Sequence, residues 1–307
     1  MKILKVIRHT TFGEKILLPI YEKTIEPILY FFSDRGLFTD LKRKLYIKWK
    51  ASLHIKDSNN ISALKNLYKG KRCFVIGTGP SLKINDLNCL KDEYTFGLNN
   101  IYALYGQMVY RPTFYVTGVP RYIKWILNEN KGGDLAGQYV FLNNYDGKQK
   151  NQGKCCFIPM FSYYYANHRF IDHEKCKYDQ MIYEEDINKG IIAKATVAIT
   201  AIEIAVYLGF NEIVLLGIDM DYSKAKKHIY ENDEGITDDE GARWVKDNTG
   251  IDDSKVSIDN SSLVVKAMLE GFKFWKYEAE KRNVKIINAT RGGRLEFFER
   301  KSLGEIL

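Results

Sequence analysis

Apolar residues in this chain gather in short, dense runs of strand length, separated by longer stretches in which they recur at helical spacing. The sharpest run is Cys73-Phe74-Val75-Ile76, which follows Lys71 and Arg72 and leads directly into Gly77-Thr78-Gly79-Pro80-Ser81-Leu82. Four consecutive apolar residues, without polar alternation, predict a central parallel strand covered on both faces. Comparable runs predict strands over 72–77, 94–98, 113–117, 138–142, 155–158, 212–217 and 284–288. A helix is predicted over 196–208, apolar almost all round and stopped by Gly209. A second, amphipathic helix over 263–282 carries Leu263, Ala267, Leu269, Phe272, Trp275 and Tyr277 among polar residues. Strands separated by helices imply βαβ units. The expected fold class is therefore α/β, a Rossmann-like, mostly parallel sheet with helices on both faces.

The segment before the first strand departs from this pattern. Residues 1–71 hold 15 Lys and Arg against 6 Asp and Glu, whereas the remainder of the 307-residue chain is nearly balanced, so the formal charge of +8 belongs to the N-terminal part. Ile16, Leu17, Leu18, Phe31, Phe32, Phe38 and Tyr46 interleave with those charges, and Arg43, Lys44, Lys48 and Lys50 surround Trp49. Such a mixture fits a helix lying on an anionic membrane surface, or a helical layer packed on the core with a solvated basic face. Nucleic acid is disfavoured as a partner, because the basic charge does not extend into the main body. With Asp57-Ser58-Asn59-Asn60 as a linker, the expected division is a basic helical appendage over 1–60 and a nucleotide-binding catalytic domain over 61–307.

Composition narrows the class further. A chain that is 45% hydrophobic at this length can bury a full core, and no apolar run approaches the roughly 20 residues that span a bilayer. Lys2, Lys5 and Arg8 interrupt the early apolar stretch, so no secretory signal is read there. Five irregularly placed cysteines, including adjacent Cys155 and Cys156, show no metal-ligand spacing and suit a reducing compartment. The expected location is cytoplasmic, with peripheral attachment to the inner face of the cytoplasmic membrane through the basic segment. A homo-oligomer is compatible with these features.

Four places carry candidate chemistry, three of them at predicted strand ends, where ligands bind in open α/β folds. The first is the turn Gly77, Thr78, Gly79, Pro80, Ser81: glycines permit close backbone approach or positive φ, and nearby amides can face a phosphate. An ordinary tight turn is the competing reading. Leu82 stands where a dinucleotide fingerprint needs its third glycine, which argues against NAD. The second is Asn99-Asn100, where a carboxamide can read a base or ribose, or cap a helix over 101–105. The third is Asp219-Met220-Asp221, whose carboxylates would share a face of an extended backbone and could hold Mg²⁺ against a diphosphate; Asp219 alone could serve as a base. The fourth is His228, in the long acidic stretch 219–259, a candidate base or charge partner or an ordinary surface histidine. Tyr163, Tyr164, Tyr165, His168 and His173 form a candidate acceptor region, and His9 and His54 receive no role.

Taken in order, these motifs resemble a known family. Phe74 to Leu82, Phe96-Gly-Leu-Asn-Asn100, Arg111-Pro-Thr-Phe-Tyr115, Thr196-Val-Ala, Ala205-Val-Tyr-Leu-Gly-Phe210, Leu215-Leu-Gly-Ile-Asp219 and Asn288-Ala-Thr-Arg-Gly-Gly-Arg294 are similar to the 6-hydroxymethylpterin diphosphokinase MptE-like family, over about three quarters of the chain. The same order is similar to the bacterial family 42 sialyltransferases. That resemblance implies that Gly77, Gly79, Ser81 and Asn99 contact CMP, and that Lys194 takes the place of an arginine that pairs with phosphate or a sugar carboxylate. Thr78, Pro80, Asn100, Thr117 and Thr196 complete the candidate nucleotide contacts. The chain departs from those transferases where they carry a catalytic histidine before the long helix: the stretch here is Val256-Ser257-Ile258-Asp259-Asn260-Ser261. The base then falls to Asp259, His228 or Asp219.

Two enzyme classes follow. One is a glycosyltransferase that moves an acidic sugar from a CMP donor to a bacterial surface glycan or lipid-linked acceptor, with no cofactor required. The other is a pterin diphosphokinase using ATP, with Mg²⁺ on Asp219 and Asp221. A nucleotide-binding module without catalysis is the third expectation.

Overall fold

The apolar runs form the strands they predict. A computed structural model describes residues 59–128, 134–144, 149, 151, 153–162, 183, 185–193, 196–223, 229 and 263–307. The appendage predicted over 1–60 therefore falls almost wholly outside the described residues, as do His9, His54 and the acceptor region around 163–173.

The main sheet contains β1 (Arg72–Ile76), β2 (Tyr94–Leu98), β3 (Phe114–Thr117), β4 (Tyr139–Asn143), β5 (Cys155–Ile158), β8 (Glu212–Leu216), β9 (Lys285–Asn288) and β10 (Glu299–Arg300). Its order is β10-β9-β8-β1-β2-β3-β4-β5, with every pairing parallel. A separate parallel pair joins β6 (Met160–Ser162) to β7 (Ile191–Ala193). The fold is α/β and Rossmann-like, as the pattern of runs predicts. β6, β7 and β10, of two or three residues each, are too short to show a periodic signal.

Successive side chains of a strand face opposite ways, and both faces of this sheet are covered. Cys73, Val75, Ile213 and Leu215 enter one core, built with α1 (Asn59–Ser62), α4 (Val197–Leu208) and α5 (Leu263–Lys281). Phe74, Ile76, Val214 and Leu216 enter the other, built with α2 (Ile84–Asn88) and α3 (Pro120–Asn128). A final short helix, α6 (Leu303–Ile306), closes the chain. Helix α4 reads as apolar all round because ten of its residues are buried, and Gly209 ends it in the left-handed region at φ 95°.

Several strand boundaries shift by one residue, one of them for a visible local reason. Thr95 and Thr113 exchange bonds, each backbone N–H donating to the other's hydroxyl at 3.1 Å, so β3 begins one residue later than predicted. The helix expected over 101–105 is a 3₁₀ segment, Asn99–Leu104, kinked at Asn100. Among the described residues no helix is long and apolar enough to cross a membrane.

α5 is fastened to α4 by Trp275, fully buried, whose indole N–H donates to the buried Glu203 carboxylate at 3.3 Å. Tyr183 meets the same ring edge-on, 5.2 Å between centroids. Trp275→Ala should lower unfolding free energy by about 3–5 kcal/mol, because it opens a large cavity between two helices. Urea unfolding followed by far-UV circular dichroism measures this; a loss below about 1 kcal/mol would mean that the site collapses to fill the space.

Candidate functional site

Chain connectivity places the candidate site. β1 lies between β2, reached by the next connection, and β8, reached much later, so the topological switch point is the gap between the carboxyl ends of β1 and β8. In this protein the chain itself fills that gap. Gly77 N–H donates to the Leu216 carbonyl at 2.8 Å and Gly79 N–H to the Gly217 carbonyl at 2.9 Å, which extends the β1–β8 pairing beyond the strands. Ser81 then grips Asp219: its N–H reaches Oδ1 at 3.2 Å and its hydroxyl reaches Oδ2 at 2.9 Å.

These contacts give the glycines a use within the protein itself. Neither Gly77 nor Gly79 has positive φ. A Cβ on Gly77 would lie 2.4 Å from the Gly217 carbonyl oxygen, and one on Gly79 would lie 1.9 Å from Asp219 Oδ2. What approaches this turn closely is the β8 loop. The amides of Gly77, Gly79 and Ser81 all serve acceptors within the protein, so they are not the phosphate donors that the motif suggests. Thr78 is buried, and its carbonyl accepts from the Ile229 N–H at 2.8 Å; Pro80 is half-buried at the turn's tip.

Asp219 is a junction of three loops. Its carboxylate holds the loop after β1, and its backbone carbonyl accepts from Arg294 N–H at 2.8 Å in the loop after β9. Gly293 packs so closely on it that a Cβ would come within 2.4 Å of the Asp219 carbonyl oxygen. The preceding residue is tied to the same loop, Ile218 N–H donating to the Thr290 hydroxyl at 3.1 Å. The extended Asp-x-Asp geometry expected for a shared cation is absent: Met220 has φ 52°, and Asp221 turns to Ser223, accepting from its N–H at 3.1 Å and its hydroxyl at 2.7 Å. The two carboxylates thus serve different serines and do not fit a paired Mg²⁺ site. Among the described residues no group of three His, Cys, Asp or Glu side chains is placed to hold a metal ion.

On the other side of β1 the strand ends carry polar side chains toward a common edge. Asn99 follows β2 with φ 46°, and its backbone carbonyl accepts from the buried Tyr115 hydroxyl at 2.7 Å. Burial pushes the Tyr115 pKa well above the usual phenol range, keeping that hydroxyl a donor. Thr117, fully buried at the end of β3, accepts from Val119 N–H at 3.3 Å and donates to Asn99 Oδ1 at 2.9 Å. The carboxamide is thereby oriented with its NH₂ left to offer. Asn99 is not the cap of the 3₁₀ segment: it is its first residue, and Leu98 stands at the N-cap. Asn100, the next residue, is half-buried at the kink.

The remaining predicted residues separate. Thr196 is the N-cap of α4, its side chain accepting from Ala198 N–H at 3.4 Å. Lys194, His228 and Asp259 lie outside the described residues. The loop after β9 carries no residue among the expected site positions. There Arg291 forms a two-pronged ion pair with Asp86 of α2, one prong at 2.6 Å, and reaches the Ser81 carbonyl at 3.5 Å. The available signal was Arg291-Gly-Gly-Arg294 directly after an apolar run.

The Ser81–Asp219 contact predicts strong coupling. In a double-mutant cycle of Ser81→Ala and Asp219→Ala, read by urea unfolding, the two losses should fall short of additivity by about 1–3 kcal/mol. Additive losses would show that the contact contributes nothing to stability. Gly79→Ala should itself cost about 1–3 kcal/mol, since the carboxylate or the turn must move aside.

No family model matches the chain, so the MptE-like resemblance has no such match behind it, and no curated protein matches it. Two solved structures are similar to it. One is the MAf glycosyltransferase from Magnetospirillum magneticum AMB-1, with 13% identity and a TM-score of 0.39 over 80% of this chain; the chain spans 37% of that protein's length. The other is the sialyltransferase CstII from Campylobacter jejuni, in complex with a substrate analogue, cytidine-5'-monophosphate, with 13% identity and a TM-score of 0.43 over 76% of this chain and 86% of that one.

Proposed function

We propose that this chain is a glycosyltransferase that moves an acidic, CMP-activated sugar to a bacterial surface glycan or lipid-linked acceptor. One observation carries the nucleotide part of the reading: Asn99 is held in a left-handed conformation, with its carboxamide oriented by Thr117, at strand ends beside the turn after β1. A fixed NH₂ donor at the carboxyl edge of a parallel sheet suits recognition of a ribose hydroxyl or a pyrimidine carbonyl. The transfer part is supported by the order of motifs shared with the bacterial family 42 sialyltransferases.

In this reaction an acceptor hydroxyl attacks the anomeric carbon, the bond to the phosphate oxygen breaks, and CMP leaves with the bonding electron pair. The protein must take a proton from the hydroxyl and stabilise negative charge on the departing phosphate. Asp219 acts here as a positioning residue: its carboxylate is committed to Ser81 and fixes the loop that borders the nucleotide. His228 and Asp259 are the remaining candidates for the base. The diphosphokinase alternative draws no support from Asp219 and Asp221, which face separate partners. Residues 1–60 form, in this proposal, an appendage that brings the enzyme to an anionic membrane carrying the acceptor.

A thermal-shift panel of CMP, UDP, ATP and GTP, with and without Mg²⁺, tests the nucleotide. CMP should raise the melting temperature without metal, since a ligand of the native state stabilises it, and Asn99→Ala should abolish that shift. Stabilisation by ATP only with Mg²⁺, and none by CMP, would overturn the proposal. CMP binding without hydrolysis or transfer of a CMP-linked acidic sugar would reassign the chain as a binding module. For the appendage, the full chain should float with anionic liposomes and a chain lacking residues 1–56 should not; equal flotation would refute membrane attachment through that segment.

A further inference from the structure

We infer that Arg294, in the loop after β9, binds the phosphate group of the nucleotide. The inference rests on the proposed nucleotide reading and supplies a phosphate donor among the described residues, which do not include Lys194. The turn after β1 cannot provide it through Gly77, Gly79 or Ser81, whose amides already serve Leu216, Gly217 and Asp219. Asp219 moreover places a carboxylate at this edge, and an approaching phosphate needs a compensating cation.

The loop over 289–294 delivers that cation. Gly292 and Gly293 are both left-handed, with φ 63° and 75°, a conformation glycine adopts without a Cβ penalty. They reverse the chain between two arginines with different duties. Arg291 is spent on Asp86, in a two-pronged pair that also raises the Arg291 pKa, and it braces the loop against α2 and the Ser81 carbonyl. Arg294 is held by its backbone, its N–H donating to the Asp219 carbonyl at 2.8 Å, one residue's breadth from the Ser81–Asp219 contact. Its side chain is exposed and makes no hydrogen bond, ion pair or ring contact among the described residues.

That freedom sets it apart from other arginines. Arg72 pairs with Glu93, Arg282 with Glu278 and Arg300 with Glu296, while Arg111 donates to the Tyr105 carbonyl and lies over its ring. Among arginines with described side chains, Arg294 has its main chain fixed at the junction of three strand ends and its guanidinium uncommitted. A guanidinium on an anchored backbone matches a phosphate through two parallel N–H donors.

The test is isothermal titration of the full chain with CMP, cytidine and inorganic pyrophosphate, for the natural protein, Arg294→Gln and Arg294→Lys. Arg294→Gln should weaken CMP and pyrophosphate by about 10- to 100-fold, as expected for loss of a charged hydrogen bond, and leave cytidine unchanged. Arg294→Lys should recover part of the loss, and the salt dependence of CMP binding should flatten in the glutamine variant. Unchanged CMP affinity in Arg294→Gln, or an equal loss for cytidine and CMP, would overturn the assignment. If the natural protein binds pyrophosphate through Arg294 but not CMP, the anion subsite stands and the CMP reading falls. If it binds neither, both fall. Matching far-UV spectra and melting temperatures for the three proteins show that no outcome reflects misfolding.

Discussion

The Asp219 carboxylate, closed on the amide and hydroxyl of Ser81, is the contact on which the carboxyl edge of this sheet is organised. It ties the loop after β1 to the loop after β8, and its own main chain ties both to the loop after β9. The junction leaves no room for side chains. Gly79 faces the carboxylate and Gly293 the carbonyl, each at a separation that a Cβ would violate. A charged group placed so tightly is tolerated because two donors face its oxygens directly.

Filling the gap between β1 and β8 has a consequence for ligand binding. Open α/β sheets offer their switch point as a crevice, but here the ladder continues past the strands and occupies it. The polar groups left at the edge are on the β2 and β3 side, where Thr117 orients Asn99. The amides of Gly77, Gly79 and Ser81, the usual kind of phosphate donor at such a turn, are consumed inside the protein. In the proposed nucleotide complex the electrostatic demand falls on side-chain cations, and the loop after β9 brings two arginines to the same edge, one committed to Asp86 and one not.

Much of the scaffold was legible in the apolar runs. Seven of them became strands of the main sheet within a residue or so, because a strand buried on both faces needs a contiguous apolar segment. The α4 helix was equally plain, with Thr196 at its start and Gly209 at its end. The site was less legible. Glycine at 77 and 79 signals close approach by something, but a motif cannot say whether a ligand or another loop approaches. Asp219 and Asp221 pair only on an extended backbone, and the left-handed Met220 breaks that geometry. In sequence Asn99 fits both a ligand contact and a helix cap; in the fold Thr117, eighteen residues away, holds its carboxamide.

By itself the sequence determined a parallel α/β sheet covered on both faces, a basic and aromatic segment before it, and a set of polar residues at strand ends. Those properties depend on local periodicity and composition, which neighbouring residues carry in full. Tertiary structure alone decided that Asp219 answers Ser81 across 138 positions, that Arg291 is spent on Asp86, and that Arg294 is left uncommitted beside them. The physical reason is that a hydrogen bond or ion pair depends on distances of a few ångströms, which are set where strands distant in sequence end side by side.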